Sequence, residues 1–204
     1  MENINFFLPE IFLTVSILIT LLIGVFFKKS YTLVTSIIYG IVIALLLIIQ
    51  NSFDHSFKLF SDSFISNSFT NFFKTLILIG TFFILIITQN FIKENKINYF
   101  EYSIVLLLSV LGMFIMISAN DLILFYLGLE LQSLSLYILA SLDRDNLKSN
   151  ESGLKYFILS SLASGLLLYG CSILYGFSGS TNFEIIRSNT NTENIGTVFA
   201  MVFI

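Results

Sequence analysis

Apolar residues run along this chain in long blocks separated by short polar breaks. The blocks cover residues 11–27, 31–49, 72–92, 102–118, 120–142 and 153–177. Each is about as long as an α-helix must be to cross a bilayer core of roughly 30 Å. The runs are continuously apolar and do not alternate, which predicts helices and not half-buried strands. A seventh apolar stretch, residues 195–204, has ten residues. At about 1.5 Å per residue it reaches only about half of such a core. The pattern therefore predicts an all-α polytopic membrane protein with about six full transmembrane helices and the beginning of a seventh. The short final stretch also suggests that another polypeptide continues the bundle or that the chain is truncated.

Composition narrows this further. The chain has 204 residues, 56% hydrophobic and 11% charged, against about 25% charged in soluble domains. Its mean hydropathy is +0.90. A soluble enzyme and a disordered chain are both excluded. A net charge of −3 gives no basic field for nucleic acid. One cysteine, Cys171, and one histidine, His55, rule out a disulfide framework and point away from a metal cluster. Cys171 reads as a small buried apolar residue and His55 as a loop residue. Phe, Ile and Asn abound while Ala, Arg, Pro and Trp are scarce, a bias toward AT-rich codons that suggests a mitochondrial genome. The first ten residues contain Glu2 and Glu10 but no cation, unlike a secretory or mitochondrial leader.

Orientation is read from Lys and Arg in short loops. Lys28, Lys29, Lys93, Lys96, Arg144 and Lys148 follow odd-numbered spans; Lys58, Lys74 and Arg187 lie on the other side. The excess places the N-terminus outside, toward the intermembrane space or periplasm. Most charges sit at span ends, where the sequence reading leaves them solvated.

Two charges stand apart. Glu130 falls near the middle of the fifth span, where a short carboxylate can neither snorkel nor remain unpaired cheaply. Helical spacing sets Tyr126, Glu130, Ser133 and Tyr137 on one face, a polar stripe suited to carrying a proton or ordering water. Lys155 lies near the start of the sixth span. It is either the partner of Glu151 four residues earlier or a basic partner for an acid inside the bundle. The expected depth difference between Glu130 and Lys155, about 10–15 Å by helical rise, argues against direct contact. Asp121, with Asn120, is placed to cap the fifth helix. Asp143, Arg144, Asp145 and Lys148 read as a solvated loop. The serines and glycine at 160, 161, 164 and 165 give small-xxx-small spacing, a close-packing signal. No phosphate loop, dinucleotide glycine motif, nucleophile elbow or metal pattern appears.

Two segments carry a resemblance. One is Ser118-Ala119-Asn120-Asp121-Leu122 with Leu127-Gly128-Leu129-Glu130-Leu131-Gln132-Ser133-Leu134. The other is Glu151-Ser152-Gly153-Leu154-Lys155-Tyr156-Phe157 with Ala163-Ser164-Gly165. Together they resemble the antiporter-like subunit 2 of respiratory complex I, NADH:ubiquinone oxidoreductase, in its N-terminal portion. The resemblance implies a bundle of about fourteen spans built on two inverted five-helix repeats. Residues 1–97 would be an N-terminal three-helix segment and 98–204 the start of the first repeat, incomplete here. It implies proton translocation, with Glu130 and Lys155 in the proton pathway. It implies no cofactor in this chain; NADH, FMN, iron–sulfur clusters and ubiquinone belong elsewhere in the complex. The implied partners are other membrane-arm subunits, lipids and a second chain carrying the remaining helices, as in a split subunit 2. The implied location is the mitochondrial inner membrane, with a bacterial inner membrane as the other candidate. Two further readings remain open: a structural membrane module without its own proton path, and part of a stand-alone cation/proton antiporter.

Overall fold

The computed structural model describes residues 7–26, 31–51, 57–94, 100–189 and 195–204. Lys28, Lys29, Lys96 and His55 lie outside them. The described chain is helical apart from one small hairpin. Helix α1 spans Leu8–Phe26 and α2 Tyr31–Asn51; strands β1 (Phe57–Leu59) and β2 (Phe64–Ser66) follow. Then come α3 (Ser68–Glu94), α4 (Glu101–Ser118), α5 (Leu122–Ala140), α6 (Leu147–Ser178), α7 (Phe183–Asn189) and α8 (Ile195–Phe203). Helices α1, α3, α4, α5 and α6 are long and apolar enough to cross a membrane, and α2 supplies a shorter apolar stretch over Val34–Gln50.

Local chemistry sets the helix ends. Pro9 sits in the first turn of α1, where its missing N–H costs nothing. Asp121 accepts a hydrogen bond from the Ile123 amide at 2.8 Å and caps α5, as its position in sequence predicts. Asn146 does the same for α6 through the Lys148 amide at 3.0 Å. Helix α6 thus starts six residues earlier than the apolar block, because an N-cap and not hydropathy decides where it begins. Its 32 residues make it about 48 Å long, so its charged first turns extend beyond a roughly 30 Å core. Gly179, at φ +70°, closes it in the left-handed conformation that glycine adopts without strain.

The main core lies among α1, α2, α3 and α4, where Leu13, Ile38, Val42, Leu45, Leu78, Leu107, Val110 and Phe114 pack together. A smaller cluster of Leu122, Cys171, Leu174, Ile186 and Ala200 joins α5, α6, α7 and α8. Cys171 is buried and free, as expected. Helices α4 and α5 pack most intimately. A side chain at Gly112 would meet the Gln132 amide nitrogen at 2.6 Å, and one at Gly128 the Met116 nitrogen at 2.7 Å. The two glycines let the backbones touch, as small residues do between membrane helices.

The polar segment before the third span folds, unexpectedly, into the β1–β2 hairpin, with Lys58 opposite Ile65. Its tip, Phe60, Ser61 and Asp62, has φ of 52°, 54° and 68°, strained for non-glycine residues. The hairpin is tied down: the Asn120 amide donates to the Ser63 carbonyl at 2.8 Å and the Asn120 side chain to the Asp62 carbonyl at 2.9 Å. On its other side the α4–α5 link meets residues 181–183. The Leu122 amide donates to the Thr181 carbonyl and the Phe183 amide to the Asn120 carbonyl. The polar segment after α6 includes the short helix α7.

Candidate functional site

The centre of interest is the middle of α5. Its α4-facing side carries Gly128 and Gln132, so Glu130, two residues from each, points away from α4. Glu130 shares its face with Tyr137, seven residues on. Tyr137 is buried and stacks edge-on against Tyr156 and Phe157 of α6, with ring centroids 4.8 and 5.8 Å apart. Glu130 therefore looks toward the flank of the bundle that α6 borders. It is half-buried, and its Oε1 is buried with no hydrogen-bond partner among the described residues. A buried carboxylate oxygen left unpaired is costly; it marks a place for water or for a further polar group.

The pairing of α5 with α6 fixes what lies level with it. Gly153 abuts Ser141, and Tyr156 abuts Tyr137. Farther along, Tyr126 and Leu168 line one apolar hollow. Continuing this antiparallel register sets the small residues Ala163, Ser164 and Gly165 at the depth of Glu130. A run of small α6 residues thus lies level with the acid.

The remaining predicted residues fall as follows. Ser133 shares the stripe, but its hydroxyl donates back to the Glu130 carbonyl at 3.0 Å. Lys155 is exposed and bonded to Glu151, the local i,i+4 pair. The same register separates its level from that of Glu130 by about eight residues, or about 12 Å, and the two do not meet. Asp121 adds to its cap a 2.5 Å bond from the Thr181 hydroxyl. Arg144, Asp145 and Lys148 are exposed and Asp143 is half-buried. No group of three or more His, Cys, Asp or Glu that could hold a metal ion occurs among the described residues.

One expectation needs correction. The Lys and Arg count sets Lys74 on the outer side, and span-end charges such as Glu10 are expected in solvent. Instead Lys74, in the second turn of α3, and Glu10, in the first turn of α1, form an ion pair at 2.6 Å with side chains 0% and 1% exposed. The Lys74 ammonium lies 5.3 Å from the Phe64 ring centre and 5.9 Å from that of Phe114. Spacing could not reveal this pair, whose members stand 64 residues apart. The available signal was that Lys74 falls two residues inside an apolar block. By contrast Lys58 and Glu184 pair at 2.7 Å in the open, 40% and 61% exposed. That hydrogen bond holds the Lys58 ammonium above its ordinary range.

Residues 119–204 match the family described as NADH:quinone oxidoreductase/Mrp antiporter, transmembrane. NADH-quinone oxidoreductase subunit N of Pelagibacter ubique is 51% identical over 205 aligned positions, covering 100% of this chain and 44% of that protein. The subunit N of Bartonella bacilliformis is 44% identical over 200 positions, covering 97% and 41%. The chain thus spans about two-fifths of the length of the curated relatives it matches. Among solved structures, a chain of respiratory complex I from Thermus thermophilus with bound aureothin superposes with a TM-score of 0.77 at 23% identity, over 96% of this chain and 42% of that one. A chain of the membrane-bound sulfane sulfur reductase, an archaeal respiratory membrane complex, superposes with a TM-score of 0.81 at 19% identity, over 98% and 43%. At these identities the structures establish the fold.

Proposed function

We propose that this chain, the N-terminal portion of a complex I membrane subunit of the N/2 type, takes part in proton translocation by a proton-pumping NADH:quinone oxidoreductase. The observation that carries this is Glu130: a carboxylate at bilayer depth, with one buried oxygen unpartnered and small α6 residues level with it. A carboxyl in such a site takes up a proton when nearby positive charge is withdrawn and releases it when that charge returns. It can therefore convert a moving charge into a moving proton. Lys155 is the second pathway residue of this reading. It stands on the outward face of α6, where helices beyond the described bundle would meet it, so its role begins only in the assembled subunit. Electron transfer among NADH, flavin, iron–sulfur clusters and quinone belongs to other subunits.

The partners are the other membrane-arm subunits, surrounding lipid, and helices equivalent to the rest of the relatives' length. We divide the chain into a three-helix segment, 1–97, and the start of an antiporter-like repeat, 98–204; the main core crosses that boundary, because α4 packs with α1 to α3. With Lys74 sealed inside the bundle, the charge count still sets the N-terminus outward. The relatives compared are bacterial, which supports an energy-transducing inner membrane; the AT-rich composition supports a mitochondrial one.

The experiment is extraction of native membranes in mild detergent, native electrophoresis with an NADH-dehydrogenase stain, and peptide mass spectrometry. Co-migration with an NADH-oxidising complex is the expected result. Migration without that activity contradicts the reading and favours a stand-alone antiporter.

A further inference from the structure

We propose that Glu10 and Lys74 form a second proton-holding site, across α4 from Glu130. The inference rests on the proton-path reading above. Gly112 and Met116 of α4 face α5, so Phe114, two residues from each, faces the opposite way, and there its ring borders the Lys74 ammonium. The site is closed by aromatics. Phe64 of β2 covers the ammonium. Phe7 stands edge-on to both Phe64 and Phe60, with ring centroids 5.0 and 5.5 Å away, and seats the hairpin over the pair.

Two features set this pair apart from a packing device. A buried ion pair kept for stability needs its remaining lone pairs satisfied, yet Glu10 Oε2 is buried and has no partner among the described residues. Ser118 Oγ, one turn along α4 on the Phe114 face, is likewise buried and unpartnered. Glu10 Oε2 is thus the unsatisfied side of the pair, where a water could deliver a proton. On the closed side, the 2.6 Å hydrogen bond from Nζ to Oε1 is a transfer route. Breaking the N–H bond and forming O–H turns ammonium and carboxylate into amine and acid, both neutral. From the ion pair, a proton arriving at Glu10 Oε2 gives ammonium plus acid, one net charge held. The exchange needs no co-reactant beyond the proton.

The test uses the assembled complex in proteoliposomes and reads protons moved per NADH oxidised. Lys74→Arg keeps the charge and the ion pair but cannot give up its proton. Glu10→Gln/Lys74→Met removes both charges together and leaves neither orphaned. Both variants are expected to assemble and to lose this subunit's share of pumped protons. Pumping at the parental ratio in either assembled variant overturns the proposal and leaves the pair structural. Failure of both to assemble overturns it too, by making the pair a folding device. Glu130→Gln is measured alongside: if it lowers the ratio while the pair variants do not, this inference fails and the proton-path reading stands. If Glu130→Gln also leaves the ratio unchanged, the reading itself fails.

Discussion

The α4–α5 crossing offers the most quantitative test of how Glu130 is held. In Gly112→Ala the new methyl carbon would lie 2.6 Å from the Gln132 nitrogen, 2.8 Å from the Gly128 carbonyl oxygen and 3.0 Å from the Gln132 Cα. All three are backbone atoms, so no side chain can swing aside. Ordinary contact begins at 3.4 Å, and α5 must therefore retreat by about 0.8 Å. Overpacking of this kind costs about 1–3 kcal/mol, of which the first 1–2 kcal/mol already shifts a folded ratio roughly five- to thirty-fold. The same retreat moves Glu130, which lies between the two contacted residues. Gly80→Ala is the matched control: it sits in α3 with nothing within 4 Å of the added carbon, and alanine is favoured over glycine in a helix by up to about 1 kcal/mol. The assay follows dissociation of the purified complex on heating, with proton pumping measured on the intact fraction. Gly112→Ala is expected to dissociate at lower temperature than the parent and to pump less; Gly80→Ala should match or exceed the parent. Equal behaviour of the two variants would refute the close crossing and its role in placing Glu130.

Further expectations follow from the loop network. Asp121→Ala removes the cap on Ile123 and the Thr181 bond, and should destabilise by about 1–3 kcal/mol, with Asp121→Asn losing clearly less. Limited proteolysis after α6 reports this, and equal cleavage of all three forms would contradict it. Lys58→Ala breaks an ion pair whose members stand largely in solvent, where screening leaves little net attraction. The variant should assemble with unchanged heat stability; a loss as large as that of Asp121→Ala would show that the pair carries the hairpin.

Much of this architecture is legible in the chain. Continuous apolar blocks define the long helices, Asp121 declares its cap by position, and the Glu151–Lys155 pair follows from a four-residue spacing. The hairpin was hidden because its strands have three residues each and its turn lacks the glycine or asparagine that normally marks left-handed backbone. What holds it is distant: the Asn120 backbone and side chain. The start of α6 was obscured because hydropathy registers membrane depth, whereas a helix may continue into water. Glu130 stood out as a lone charge inside a span. Glu10 and Lys74 did not, because each lies near the edge of an apolar block and only the packing of α1 and α3 onto α4 buries them together.

The central claim rests on a protonatable carboxylate at position 130. Glu130→Gln keeps the size and polarity of the side chain but cannot exchange a proton. In the assembled complex, reconstituted into vesicles, the account predicts fewer protons moved per NADH oxidised. Parental stoichiometry in the assembled variant would contradict it, and would leave Glu130 a packing residue in a structural membrane module.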